Sequence, residues 1–175
     1  KQGRSLLLLL LWKQEMISLE TDFHSHILPG IDDGSDSIEE SFAMAKAAVE
    51  LGVKNIIATP HYEEGFYENE RHKILETVAK FNKVLQKEGV ELSIIPGCEI
   101  MLSPNTPQLL KDKKLMTLRD EWEFVLVEYP FTVLPMWAME VMYKIQLLGV
   151  TPILAHPERY AWLQDDISIV NSLIN

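Results

Sequence analysis

Gly52-Val53-Lys54-Asn55-Ile56-Ile57-Ala58-Thr59-Pro60-His61 decides the fold. Before it, Ser37 to Leu51 places Phe42, Ala45 and Val49 at helical spacing, and Gly52 stops that helix. The β-branched and apolar residues from Val53 to Ala58 then read as a buried strand that delivers a histidine at its end. The unit recurs. Asn69 to Glu88 forms a second helix with Ile74, Leu75, Val78, Phe81, Val84 and Leu85 on one face and Gly89 after it. Strands are expected near 92–95 and 123–127, a helix over 134–148 closed by Gly149, a strand over 150–155, and a further helix from Asp165. Residues 100–122, with Pro104 and Pro107, read as an irregular loop. Strand–helix alternation implies an α/β fold with a parallel sheet, either a (β/α) barrel or an open doubly wound sheet.

Four apolar runs end on side chains that bind metals: Thr21-Asp22-Phe23 at His24 and His26, Asn55 to Pro60 at His61, Leu92 to Cys98 at Glu99, and Pro152 to Ala155 at His156. Parallel α/β folds build their sites at the carboxyl ends of strands, so these residues are expected to converge. Taken singly, each has an ordinary reading as a hydrogen-bonded core or loop residue. Their joint occurrence points to a metal centre. His24 and His26, two apart on a strand, point to one face.

Asp32 and Asp33 follow in a turn-rich loop, where turn or capping chemistry and completion of a hard-cation cluster are both open readings. Asp36 or Ser35 fits the start of the next helix as well. His72 reads as a solvated helix residue. Arg159, three residues after His156, is either a surface ion-pair partner or a planar fork for phosphate oxygens. No arginine follows Cys98 at phosphate-loop spacing, so Cys98 reads as a small buried residue rather than a thiol nucleophile.

At 175 residues the chain buries a substantial core, yet it is shorter than the roughly 250 residues of a complete eight-unit barrel. A net charge of −10 argues against a nucleic-acid partner. The single cysteine fits a reducing, cytoplasmic compartment. Neither a GxxxxGK[ST] loop nor a GxGxxG fingerprint is present. Lys1 and Arg4 before Leu6 to Leu11 superficially resemble an export signal, but no small-residue cleavage site follows and the run falls short of the ~20 residues of a membrane span. Residues 1–19 are therefore set apart as an N-terminal extension, and no export is expected.

The segments Asp22-Phe23-His24-Ser25-His26-Ile27-Leu28-Pro29-Gly30-Ile31-Asp32-Asp33-Gly34, Ile57-Ala58-Thr59-Pro60-His61, Pro96-Gly97-Cys98-Glu99 and Ala155-His156-Pro157-Glu158-Arg159-Tyr160 resemble the successive motifs of the PHP (polymerase and histidinol phosphatase) superfamily. Within it they are most similar to the bacterial CpsB/CapC tyrosine-protein phosphatases, over residues 20–175. The resemblance implies a distorted (β/α)7 barrel, incomplete at its C-terminal end in this chain, and a cluster of up to three divalent ions. Manganese is the usual metal, with iron, zinc or magnesium as substitutes.

It further implies hydrolysis of phosphotyrosine on proteins such as a bacterial tyrosine kinase that controls capsule or exopolysaccharide synthesis. By the same resemblance His24, His26 and Glu99 hold one metal, Glu99 bridges to a second bound by His156, Asp33 and His61 hold a third, and Arg159 clamps the phosphate. The family's Asp-x-His motif and its second phosphate-binding arginine have no match after Arg159. Two other outcomes stay open: a phosphatase for a small metabolite such as histidinol phosphate, and a binding module without catalysis.

Overall fold

The computed structural model describes residues 20–169, so the N-terminal extension over residues 1–19 lies outside the described residues. Seven strands and five α-helices are described: β1 (Thr21–Ser25), α1 (Ile38–Glu50), β2 (Asn55–Ala58), β3 (His61–Tyr62), α2 (Arg71–Lys87), β4 (Ser93–Pro96), β5 (Glu99–Met101), α3 (Thr106–Lys111), β6 (Phe124–Glu128), α4 (Ala138–Leu147), β7 (Thr151–Leu154) and α5 (Ala161–Asp165). Every pairing between these strands is parallel. Among the described residues they form two open sheets, ordered β1-β2-β4 and β3-β5-β6-β7, and do not close into a barrel.

The two sheets are joined through the chain. β3 follows β2 after Thr59 and Pro60, and β5 follows β4 after Gly97 and Cys98. At the first break the Thr59 amide donates to the Ser25 carbonyl (2.8 Å) and the Ser25 amide to the Thr59 hydroxyl (3.1 Å), which ties the end of β1 to the junction between β2 and β3. At the second break a Cβ on Gly97 would lie 2.7 Å from Ile57 Cγ2 and 3.1 Å from the Ala58 carbonyl oxygen, so glycine lets this break pack against β2.

The helices obey their sequence signals. Ser37 caps α1, its hydroxyl accepting from the Glu40 amide at 3.2 Å, and Gly52 ends it at φ +87°. Ser35 does not start the helix; it is buried and shares a hydrogen bond with Ser41. α2 buries Ile74, Val78, Phe81 and Leu85. Its Asn82 side chain accepts from the Ile94 amide (2.9 Å) and donates to the Ile94 carbonyl (2.7 Å), locking the helix to β4. Val125 and Val127 of β6 complete this core together with Ile100.

Three sequence expectations need correction. The stretch 100–122 is not an irregular loop throughout, since β5 runs into it and α3 forms within it with Pro107 in the first turn, where a missing N–H costs nothing. The helix expected from 134 begins at Ala138, because Pro135 interrupts the run and the Ala138 amide instead caps onto the Pro135 carbonyl. The helix expected from Asp165 starts later, since α5 ends at Asp165 and Ile169 is again helical, and residues beyond 169 lie outside the described residues. No helix among the described residues is long and apolar enough to cross a membrane.

Candidate metal and phosphate site

One cavity of about 450 Å³ is lined by His24, His26, Asp33, His61, Glu99, His156 and Arg159, which are all the candidate site residues read from the sequence. Glu99 lies at its floor with its side chain 1% exposed. Parallel pairing places it opposite His61, and its amide donates to the Pro60 carbonyl at 3.1 Å. Its Oε2 faces His24 Nε2 (2.9 Å) and His26 Nε2 (3.1 Å), while Oε1 faces His156 Nε2 (2.6 Å). His24 belongs to β1 and His26 stands one residue beyond it. His156 follows β7 at φ +29°, a conformation that costs a non-glycine residue about 1–3 kcal/mol and is tolerated chiefly at functional sites.

One carboxylate of the site, beyond Glu99 and Asp33, is absent from the sequence expectations. Glu128, at the end of β6 and 4% exposed, places Oε1 2.9 Å from His61 Nδ1 and Oε2 3.5 Å from His156 Nε2. The signal was present: Phe124-Val125-Leu126-Val127-Glu128 is a fifth apolar run that ends on a metal-binding side chain. Asp33 is at the rim, 63% exposed, 3.5 Å from His61 Nε2. Three groupings bring ligand atoms within 4.8 Å of one another: His24, His26 and Glu99; His26, Asp33 and His61; and His61, Glu99 and Glu128.

The donor set fits a divalent cation. Without one, both ring nitrogens of His26 face carboxylate oxygens, Asp32 Oδ2 at 2.7 Å and Glu99 Oε2 at 3.1 Å. Burial disfavours the charged ring, but the hydrogen bonds to Asp32 and Glu99 outweigh it and push its pKa up to about 10. His61 is raised too, with burial opposed by its bond to Glu128. Burial would lift the Glu99 carboxyl, yet the hydrogen bonds from His24 and His26 hold it well below the usual carboxylate range. Protons on imidazoles thus supply the positive charge that these buried carboxylates require. A metal ion would supply it directly, and mixed imidazole–carboxylate sets suit Mn²⁺, Fe²⁺ and Zn²⁺ better than the oxygen-seeking Mg²⁺.

Arg159 stands at the lip in the short turn Pro157–Arg159, its guanidinium carbon 4.3 Å above the Phe131 ring. Among the described residues it forms no ion pair, so its donors face the cavity mouth unclaimed. The turn is anchored by aromatic neighbours. The buried Tyr160 hydroxyl accepts from the Tyr129 amide at 3.2 Å, and the Ala161 amide donates to the Phe131 carbonyl at 2.9 Å. Tyr67, stacked on His61, and Met101 add apolar wall.

Two residues take no part as nucleophile or ligand. Cys98 is fully buried, its thiol donates to the Pro60 carbonyl at 3.1 Å, and burial with nearby Glu99 pushes its pKa well above the ordinary thiol value. His72 has an 80% exposed side chain on α2.

Residues 20–175 match the sequence profile of the family described as capsular polysaccharide synthesis, CpsB/CapC. The chain is 39% identical over 153 residues to the tyrosine-protein phosphatase YwqE of Bacillus subtilis, covering 87% of this chain and 60% of YwqE. It is 32% identical to the tyrosine-protein phosphatase CpsB of Streptococcus pneumoniae, covering 88% of this chain and 63% of CpsB. Among solved structures it superposes, with a TM-score of 0.83 and 39% identity, on one from a study of YwqE and CpsB as metal-dependent tyrosine phosphatases, covering 88% of this chain and 62% of that one. The chain spans about three fifths of the length of these curated relatives. By its motifs, its parallel strand arrangement and this match over nearly all described residues, the chain belongs to the CpsB/CapC family.

Proposed function

We propose that this chain carries a metal-dependent phosphatase site that hydrolyses phosphotyrosine on proteins. The observation that carries the reading is the convergence of four imidazoles and two buried carboxylates on one cavity, with the Arg159 guanidinium, free of ion pairs among the described residues, at its mouth. Relatives named tyrosine-protein phosphatases favour the aryl phosphate over a small metabolite.

His24, His26 and Glu99 would hold one ion, Glu99, Glu128 and His156 a second, and Asp33 with His61 a third. When bound, such ions supply Lewis acidity to phosphoryl oxygens and lower the pKa of water near them. Glu99 serves two positions because its oxygens face opposite groups of imidazoles. Arg159 grips two equatorial phosphoryl oxygens with its planar fork and neutralises charge that grows as the leaving phenolate departs. Phe131 holds that guanidinium over the cavity, and Tyr67 and Met101 offer apolar contact to the substrate ring. No side chain here is needed as a covalent nucleophile.

Manganese as the native ion, a capsule-controlling tyrosine kinase as the substrate, a cytoplasmic setting and the (β/α)7 barrel as the frame around these sheets complete the reading. The test is hydrolysis of a phosphotyrosine peptide, histidinol phosphate and p-nitrophenyl phosphate with added Mn²⁺ or with EDTA. Turnover of the peptide that requires Mn²⁺ supports the proposal. Preference for histidinol phosphate would redirect it to a metabolite, and no turnover of any substrate would leave a binding module.

A further inference from the structure

The Asp32-Asp33-Gly34 loop approaches His26 from two sides. The Asp32 side chain is fully buried, and its Oδ2 accepts both from His26 Nδ1 at 2.7 Å and from the His61 amide at 2.9 Å, while Oδ1 accepts from the Gly34 amide at 3.1 Å. Gly34 meets the other side of the same residue: a Cβ built on it would lie 2.3 Å from the His26 carbonyl oxygen and 2.4 Å from His26 Cβ. The Ser35 amide closes the loop onto the His26 carbonyl at 3.1 Å. Asp32 is not among the residues that line the cavity, whereas Asp33 reaches its rim.

We propose that Asp32 is a positioning residue that fixes the ring orientation and tautomer of His26, and with the same oxygen the start of β3 that carries His61. The inference rests on the metal-site reading above. A proton held on Nδ1 by Asp32 leaves the Nε2 lone pair free on the side of Glu99 Oε2, 3.1 Å away at the cavity, the arrangement a ligating imidazole needs. His26 and His61 share one grouping with Asp33, and each also belongs to a second grouping without the other, so one buried carboxylate bears on the geometry of more than one ion position. Adjacent aspartates thus divide the work: Asp33 offers an oxygen to the cavity, and Asp32 orients the nitrogen ligands behind it.

The experiment is a chelator-competition titration of Zn²⁺ into metal-stripped wild type and Asp32→Asn, with long-range ¹H–¹⁵N spectra of the zinc-loaded wild type. Asparagine keeps the size but offers one acceptor oxygen where three donors converge. Zinc affinity is expected to fall 10- to 100-fold, the usual effect of losing a carboxylate behind a ligating histidine. The wild-type spectra are expected to show His26 protonated at Nδ1 and zinc-bound at Nε2. Equal zinc affinity in the two proteins, or a wild-type His26 protonated at Nε2, overturns the inference and leaves the metal site standing. A wild type that binds no zinc overturns both. If Asp32→Asn does not fold, the wild-type spectra decide alone.

Discussion

His156 Nε2 lies 2.6 Å from Glu99 Oε1, across 57 residues of sequence and two intervening strand pairings. The other oxygen of Glu99 serves His24 and His26, so one carboxylate joins the ends of β1, β5 and β7. Glu99→Gln keeps the shape and removes the charge on which three imidazoles converge. Bound metal is expected to fall at least tenfold, as for loss of groups that define a metal site, with phosphatase activity falling in parallel. Elemental analysis of the purified variant checks this, and wild-type metal content would remove Glu99 from the centre.

Glu128→Gln extends the argument to a residue that sequence reading passed over. Its oxygens face His61 and His156 rather than the His24–His26 pair. The variant is expected to lose part of the metal and keep the ion held by His24, His26 and Glu99. Metal stoichiometry separates this partial loss from the general loss expected for Glu99→Gln.

Arg159→Lys tests the phosphate clamp. Lysine supplies a point charge without the planar fork, and the lost transition-state stabilisation is expected to be on the order of 2–3 kcal/mol, a fall of roughly 30- to 150-fold in kcat/KM. Metal content should not change, since Arg159 touches Phe131 rather than the ligand cluster. Steady-state hydrolysis of a phosphotyrosine peptide at saturating Mn²⁺ provides the comparison.

The pH response of the metal-free protein has a definite sign. His26 rises from 6.5 to about 10 on folding, so its contribution is fully present below pH 6.5 and is lost as pH climbs toward 10. His61 shifts in the same direction. Glu99 and Asp32 are lowered, so their contribution is present above pH 4.5 and lost on acidification below their ordinary values of 4.5 and 3.8. Metal-free protein should therefore be most stable near pH 5–6 and melt progressively lower from pH 7 to 10, a trend that bound metal should oppose because it binds deprotonated imidazole. Thermal melts across pH, with and without Mn²⁺, measure both slopes.

Much of this was legible in the chain because the signals were long or repeated. The helix over Arg71–Lys87 declares itself through a full amphipathic face, and four strand ends carry five ligand candidates, with Asp33 in the loop that follows the first. What escaped was short or nonlocal. β3 has two residues and β5 three, too few for periodicity to register. Asp32 resembled a turn residue because its partners, His26 and the His61 amide, are brought to it only by packing of β1 beside β2. Glu128 ends an apolar run of the same kind, one residue past the strand expected over 123–127.

The most direct test of the central claim is metal content and phosphotyrosine hydrolysis measured together on wild type and His24→Ala/His26→Ala, after reconstitution with Mn²⁺ and removal of free ion. The account expects the wild type to retain divalent metal and turn over the peptide, and the double variant to lose both while staying folded by circular dichroism. Equal metal and equal turnover in the two proteins would contradict it.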